Sequence, residues 1–258
     1  MGDATLDNVR LYEPHAGPLF AAEESAFRRF LRPDMVVLDL GCGNGRVSRQ
    51  LVEFGVRVYA CDLNLPALRE FRGSLAEPEA MPMFCADARR LPLRAGALDA
   101  VVFAYNGLDF VAPETERIRA IREIERLLKP GGVFLFTSHN PVGGLLSPRG
   151  LRSPQEWVNR LRGLPSVFRR YPAKDRRGIS LYQSTPWSVV RQVAKVTELQ
   201  FAGLRATRTA RAFPRPLVTL FSAWPSYAFV KADPEATKAA AGPTAPRASA
   251  TGDGPPSP

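Results

Sequence analysis

The chain has 258 residues, 45% of them hydrophobic and 23% charged, which is a globular composition long enough for one large domain or two small ones. That excludes a fibrous or disordered chain, and no run approaches the roughly 20 apolar residues of a membrane-spanning helix. The net charge of +10 is concentrated in residues 141–231, where 16 Lys and Arg face 3 Asp and Glu; residues 1–100 carry 12 against 14.

Of the 35 basic residues only 5 are Lys. Codon bias in a GC-rich genome and an anionic partner account for this equally well. The first ten residues hold acids where a signal peptide has a basic and then an apolar run, so a cytoplasmic protein is expected. Cys42, Cys61 and Cys85 include no C-x-x-C pair, which argues against a metal site and for buried, reduced thiols.

In chain order the sequence predicts strands alternating with helices, the pattern of an α/β domain. A helix is expected over 18–31, with Phe20, Phe27, Phe30 and Leu31 at helical spacing and Pro33 stopping it. Met35 to Leu40 reads as a buried strand. After it come a glycine-rich turn, a helix over 46–54, a strand over 56–62 and a helix over 65–76. Met83–Ala86, Ala97–Ala104 and Val133–Ser138 read as strands. Between the last two, Ile118, Ile121, Ile124, Leu127 and Leu128 mark a helix over 114–128, ended by Lys129-Pro130-Gly131-Gly132.

Residues 141–184 make an unusually long connection, with strand-like runs at Val167–Tyr171 and Ile179–Gln183 that suggest a hairpin flap. A helix then begins near Thr185-Pro186. From Ala232 onward the chain is rich in Ala, Pro, Gly, Ser and Thr without apolar periodicity, so a disordered tail is expected over 232–258, following one domain over 1–231.

The chemistry concentrates in Val36-Val37-Leu38-Asp39-Leu40-Gly41-Cys42-Gly43-Asn44-Gly45-Arg46. A strand running through alternate glycines into a helix brings bare backbone and a helix N-terminus close to a ligand. The third glycine of a dinucleotide fingerprint arrives one residue early, at Gly45, and Arg46 takes its place. Asp62 ends the next strand, where a carboxylate can accept from both hydroxyls of a ribose.

With these motifs, and with Cys85-Ala86-Asp87-Ala88, Leu98-Asp99-Ala100-Val101-Val102 and Leu127-Leu128-Lys129-Pro130-Gly131-Gly132 following in order, the chain resembles the class I (Rossmann-like) S-adenosylmethionine (SAM)-dependent methyltransferases from about Tyr12 to Lys231. The resemblance implies an α/β fold, a seven-stranded, mostly parallel sheet in the order 3-2-1-4-5-7-6. Its last strand would be antiparallel, with segments 204–210 and 225–232 as strands six and seven. It implies SAM as cofactor. Gly41, Cys42 and Gly43 would meet the methionine part and Asp39 its ammonium. Asp62 would hold the ribose hydroxyls, Leu63 would lie against the adenine, Asp87 would accept from its amine and the Ala88 N–H would meet a ring nitrogen. Tyr105 and Asn106 would close over the sulfonium side.

Methyl transfer needs alignment, and a base only if the acceptor must lose a proton. His139, just past strand five, is the candidate base, although a strand-capping role suits it too. Tyr12, His15, Tyr171 and Tyr182 are candidate contacts for the acceptor. An oxygen or nitrogen acceptor on a small, anionic molecule is expected. The arginines of 141–184 also suit RNA, but the chain lacks the Asp/Asn-Pro-Pro-Tyr type motif of amino-methylating nucleic-acid enzymes. A SAM-binding, non-catalytic partner subunit of another methyltransferase is a further alternative.

Overall fold

The computed structural model describes residues 17–143, 173–174, 180–207 and 214–235. Its strands are β1 (Val36–Leu40), β2 (Arg57–Asp62), β3 (Met83–Cys85), β4 (Leu98–Phe103), β5 (Leu128–Thr137), β6 (Ala173–Lys174), β7 (Ser180–Leu181), β8 (Leu199–Arg205) and β9 (Ser226–Lys231). The helices are α1 (Ala21–Phe30), α2 (Arg46–Glu53), α3 (Leu65–Gly73), α4 (Glu114–Leu127), α5 (Pro186–Val196) and α6 (Arg215–Phe221). Seven strands form one sheet in the order β3-β2-β1-β4-β5-β9-β8, and β9 runs antiparallel to both of its neighbours. This is the order that the sequence predicts.

Alternation along the strands sorts the core into two layers. Val37, Ala100, Val102 and Leu135 point to one face and pack with Phe27 of α1, Val47 and Leu51 of α2, and Leu68 and Phe71 of α3. Leu38, Leu40, Val101, Phe103, Phe134 and Phe136 point to the other, against Ile121, Ile124 and Leu127 of α4 and Val189 and Val193 of α5. The Asp99 carboxylate braces the amino edge, accepting from Val36 N–H at 2.8 Å and from Lys129 Nζ at 2.6 Å.

Three expectations shift. The sixth strand of the main sheet is Leu199–Arg205, not 204–210; a register irregularity between Phe201 and Gly203 hides its alternation. In the hairpin, Ala173–Lys174 pairs with Ser180–Leu181, so the first arm lies where the sequence suggests a turn, and Val167–Tyr171 falls outside the described residues. Cys42 and Cys61 are buried thiols, whereas Cys85, on the edge strand β3, is exposed. The short helix α6, opened by Pro214 and Pro216, has no periodic signal. The segment 236–258 lies outside the described residues, as do Tyr12, His15 and Tyr171. Among the described residues no helix is long and apolar enough to cross a membrane.

Candidate active site

The loops after β1 to β4 meet at the carboxyl edge of the sheet, where parallel α/β folds open a crevice. There a cleft of about 670 Å³, open solvent at its mouth included, is lined by Leu40, Gly41, Asp62, Leu63, Asn64, Ala86, Asp87, Ala88, Phe103, Ala104, Tyr105, Gly107, Phe110 and Val111. Its walls are mostly apolar, with two carboxylates among them.

Local sequence explains the shape. Gly41 and Gly45 have φ of +69° and +83°, and a Cβ on Gly45 would lie 2.1 Å from the Phe71 ring, so the turn requires glycine there. The early third glycine therefore fits α3 against α2. The displaced Arg46 is buried, its guanidinium paired with both Glu23 oxygens at 2.8 Å each. It lies 5.3 Å from the Phe20 ring centroid and 5.7 Å from that of Tyr105.

Asp62 Oδ2 accepts from Gly43 N–H at 2.7 Å and Oδ1 from Asn64 N–H at 2.8 Å. Burial pushes its carboxyl above the usual carboxylate range, against the pull of those backbone N–H groups. Asp39 lies behind the cleft at 1% exposure and accepts from Ser48 Oγ at 2.6 Å; burial raises it to about 7. Asp87 lines the cleft, but its carboxylate is bound by Arg89 through Nε at 2.9 Å to each oxygen.

Of the residues expected around the cofactor, Gly41, Asp62, Leu63, Asp87, Ala88 and Tyr105 come together on the cleft. Asp39, Cys42, Gly43 and Asn106 are not among its lining residues, each lying within two residues of one that is. Tyr105 and Asn106 occupy the left-handed region, at φ of 50° and 62°. Asn106 N–H donates to Thr137 Oγ1 at 2.7 Å, while its buried Oδ1 has no hydrogen-bond partner among the described residues.

Next along the carboxyl edge, at the end of β5, stands His139. Its Nδ1 lies 2.9 Å from Asp109 Oδ2, and its backbone N–H donates to the same oxygen at 2.6 Å. Asp109 Oδ1 accepts from Ser138 Oγ at 2.7 Å and from the Arg117 guanidinium at 2.8 Å, with both members of that ion pair fully buried. Tyr182 is buried as well: its N–H donates to Asp109 O, and its ring lies under Arg117. Sequence reasoning missed Asp109 and Arg117. Their only signal was a lone acid after strand four and a basic residue in an apolar helix stripe.

Residues 38–136 match a family model described as a methyltransferase domain. A demethylmenaquinone methyltransferase of Corynebacterium urealyticum is 38% identical over 105 residues, 40% of this chain and 40% of that protein. A malonyl-[acyl-carrier protein] O-methyltransferase of Salmonella typhimurium is 38% identical over 103 residues, 40% of this chain and 38% of that one. The chain thus spans about two fifths of the length of these curated relatives. Among solved structures, the Burkholderia thailandensis 1,6-didemethyltoxoflavin-N1-methyltransferase, with that compound and S-adenosylhomocysteine bound, superposes with a TM-score of 0.56 at 18% identity. The superposition covers 83% of this chain and 78% of that one. Residues 38–136 thus match a methyltransferase domain, and the order of the sheet is the one implied by the resemblance to the class I, Rossmann-like, SAM-dependent methyltransferases.

Proposed function

We propose that the protein transfers a methyl group from SAM to an oxygen or nitrogen of a small-molecule acceptor. The observation that carries this reading is the Asp62 carboxylate, pinned by Gly43 and Asn64 at the end of β2 and facing an apolar slot between Leu63 and Ala88. Held by backbone N–H groups, the carboxylate is positioned to accept from a ribose hydroxyl, and the slot suits a flat purine. Bound there, SAM supplies an electrophilic methyl group on a sulfonium sulfur. Gly41 presents bare backbone to the amino-acid end, and Tyr105 and Phe110 exclude water from the reacting end. Asp87 reaches the purine amine only by sharing its carboxylate with Arg89. His139, at the acceptor end, is the proton acceptor. A carboxylate or phosphate handle on the acceptor matches the arginines of 141–184; RNA is the second reading, favoured by the same residues.

Calorimetry with SAM tests the cleft. Asp62→Ala should weaken binding at least tenfold, since removing a charged acceptor costs about 1.5–3 kcal/mol. Unchanged affinity in a folded variant, or tight NAD binding by the wild type, would overturn the reading. Incubation with labelled SAM and cell extract, followed by separation of small molecules from RNA, decides the acceptor class.

A further inference from the structure

We infer that Asp109 fixes His139 in the tautomer that leaves Nε2 free to take a proton, and that the acceptor is therefore a group that must lose one: a neutral hydroxyl or an N–H. This deepens the methyltransferase reading and rests on it.

The geometry leaves one choice of tautomer. Asp109 forms a buried ion pair with Arg117, and a carboxylate only accepts, so the 2.9 Å contact needs its hydrogen on Nδ1. The lone pair is then on Nε2, which makes no hydrogen bond among the described residues, and the ring is 21% exposed beside the edge of Trp224. Every other donor around Asp109 holds it in place. Ser138 and Arg117 fill Oδ1, and the His139 backbone N–H shares Oδ2 with the ring. Tyr182 ties the end of the hairpin to the same turn through Asp109 O at 2.9 Å. The acceptor-side connection and the imidazole are thus mounted on one anchor, one strand beyond the Tyr105 end of the cleft.

In the step itself the acceptor oxygen or nitrogen forms its bond to the methyl carbon as the carbon–sulfur bond breaks and its electron pair returns to sulfur. The acceptor's proton passes to Nε2, and the imidazolium so formed faces the Asp109 carboxylate until solvent removes the proton. A carboxylate acceptor is already ionised near neutral pH and needs no such base; a phenol or an amine does. His139 is thereby the catalytic residue and Asp109 the positioning residue.

The chain has two histidines, His15 and His139, which makes nitrogen-15 NMR of histidine-labelled protein direct. At pH 8 the wild type should show His139 with its hydrogen on Nδ1. In Asp109→Asn the amide must turn its NH₂ either toward Arg117 and Ser138 or toward the His139 backbone N–H and Nδ1, so the hold on the Nδ1 hydrogen is lost and the population should shift toward hydrogen on Nε2. Ser138→Ala, which spares Oδ2, should keep the wild-type signature. Hydrogen on Nε2 in the wild type would overturn the inference by itself, even if Asp109→Asn does not fold. So would a methyl ester as the extract product, or a wild-type rate in His139→Gln, where a loss of about 100-fold is expected. A SAM titration of the wild type run alongside keeps the two readings apart: no binding with hydrogen on Nδ1 sinks the methyltransferase reading, and binding with hydrogen on Nε2 sinks only the positioning role.

Discussion

Asp39 shows what a single residue costs when a fold buries it. Its carboxylate has one side-chain donor, Ser48, and burial outweighs that bond and the nearby Arg46 charge, raising the group to about 7. The sign follows from proton binding. Between its unfolded value, near 4, and 7 the folded state holds the proton more tightly, so stability falls as pH rises through that window and levels off above it. Below the window the carboxyl is neutral in both states and the penalty is absent. Asp39→Asn removes the titration, so its stability relative to the wild type should improve from pH 5 to pH 8, by at most roughly 1.4 kcal/mol for each pH unit inside the window. Urea unfolding at the two pH values measures this; an equal difference at both would refute it.

At the scale of elements, α1 is joined to the cofactor turn by a buried charge pair. Arg46 at the start of α2 reaches Glu23 on the first turn of α1, and Glu23 Oε2 also accepts from Phe20 N–H at 2.9 Å. With both side chains about 5% exposed, removing one partner strands a charge away from water. Glu23→Leu or Arg46→Met alone should cost about 3–5 kcal/mol, and the double variant clearly less than the sum, because the desolvation penalty disappears with both charges. A double-mutant cycle by denaturant unfolding reads this. Additive losses would mean that the pair is not coupled. Tyr105 shares the clasp through its stack on Phe20, with centroids 6.2 Å apart, so the same variants should loosen the cleft rim.

Over the whole molecule, charge is divided by position. The half of the sheet that forms the cleft is near balance, and the basic excess lies in residues 141–231, only about half of it in the connection after β5. If that connection receives an anionic acceptor, replacing Arg169, Arg170, Arg176 and Arg177 by Gln should raise the acceptor's KM and flatten its salt dependence while SAM affinity stays constant. A wild-type response at every ionic strength would assign the arginines to codon usage. An RNA acceptor would show a steeper dependence, with nearly one unit of log–log salt slope for each phosphate that a basic side chain neutralises.

Local pattern determined most of this architecture. Short, mostly apolar runs ending at Leu40, Asp62 and Phe103, alternating with helical patterns, read as strands of an α/β sheet, and the glycines after β1 pointed to a close turn. Order in the chain then placed Asp62 and Ala88 on one edge. Tertiary structure alone decided how the polar groups are used. No spacing in the sequence links Asp109 to His139, 30 residues on, or Arg46 to Glu23, because both pairs form only when neighbouring elements exclude water around them. Asp39 and Asp62, equally acidic in sequence, part company for the same reason: β1 is central and buries its acid, while the end of β2 opens onto the cleft. Periodicity is a property of one element, whereas a carboxylate's partners and its access to a ligand depend on which other elements pack against it.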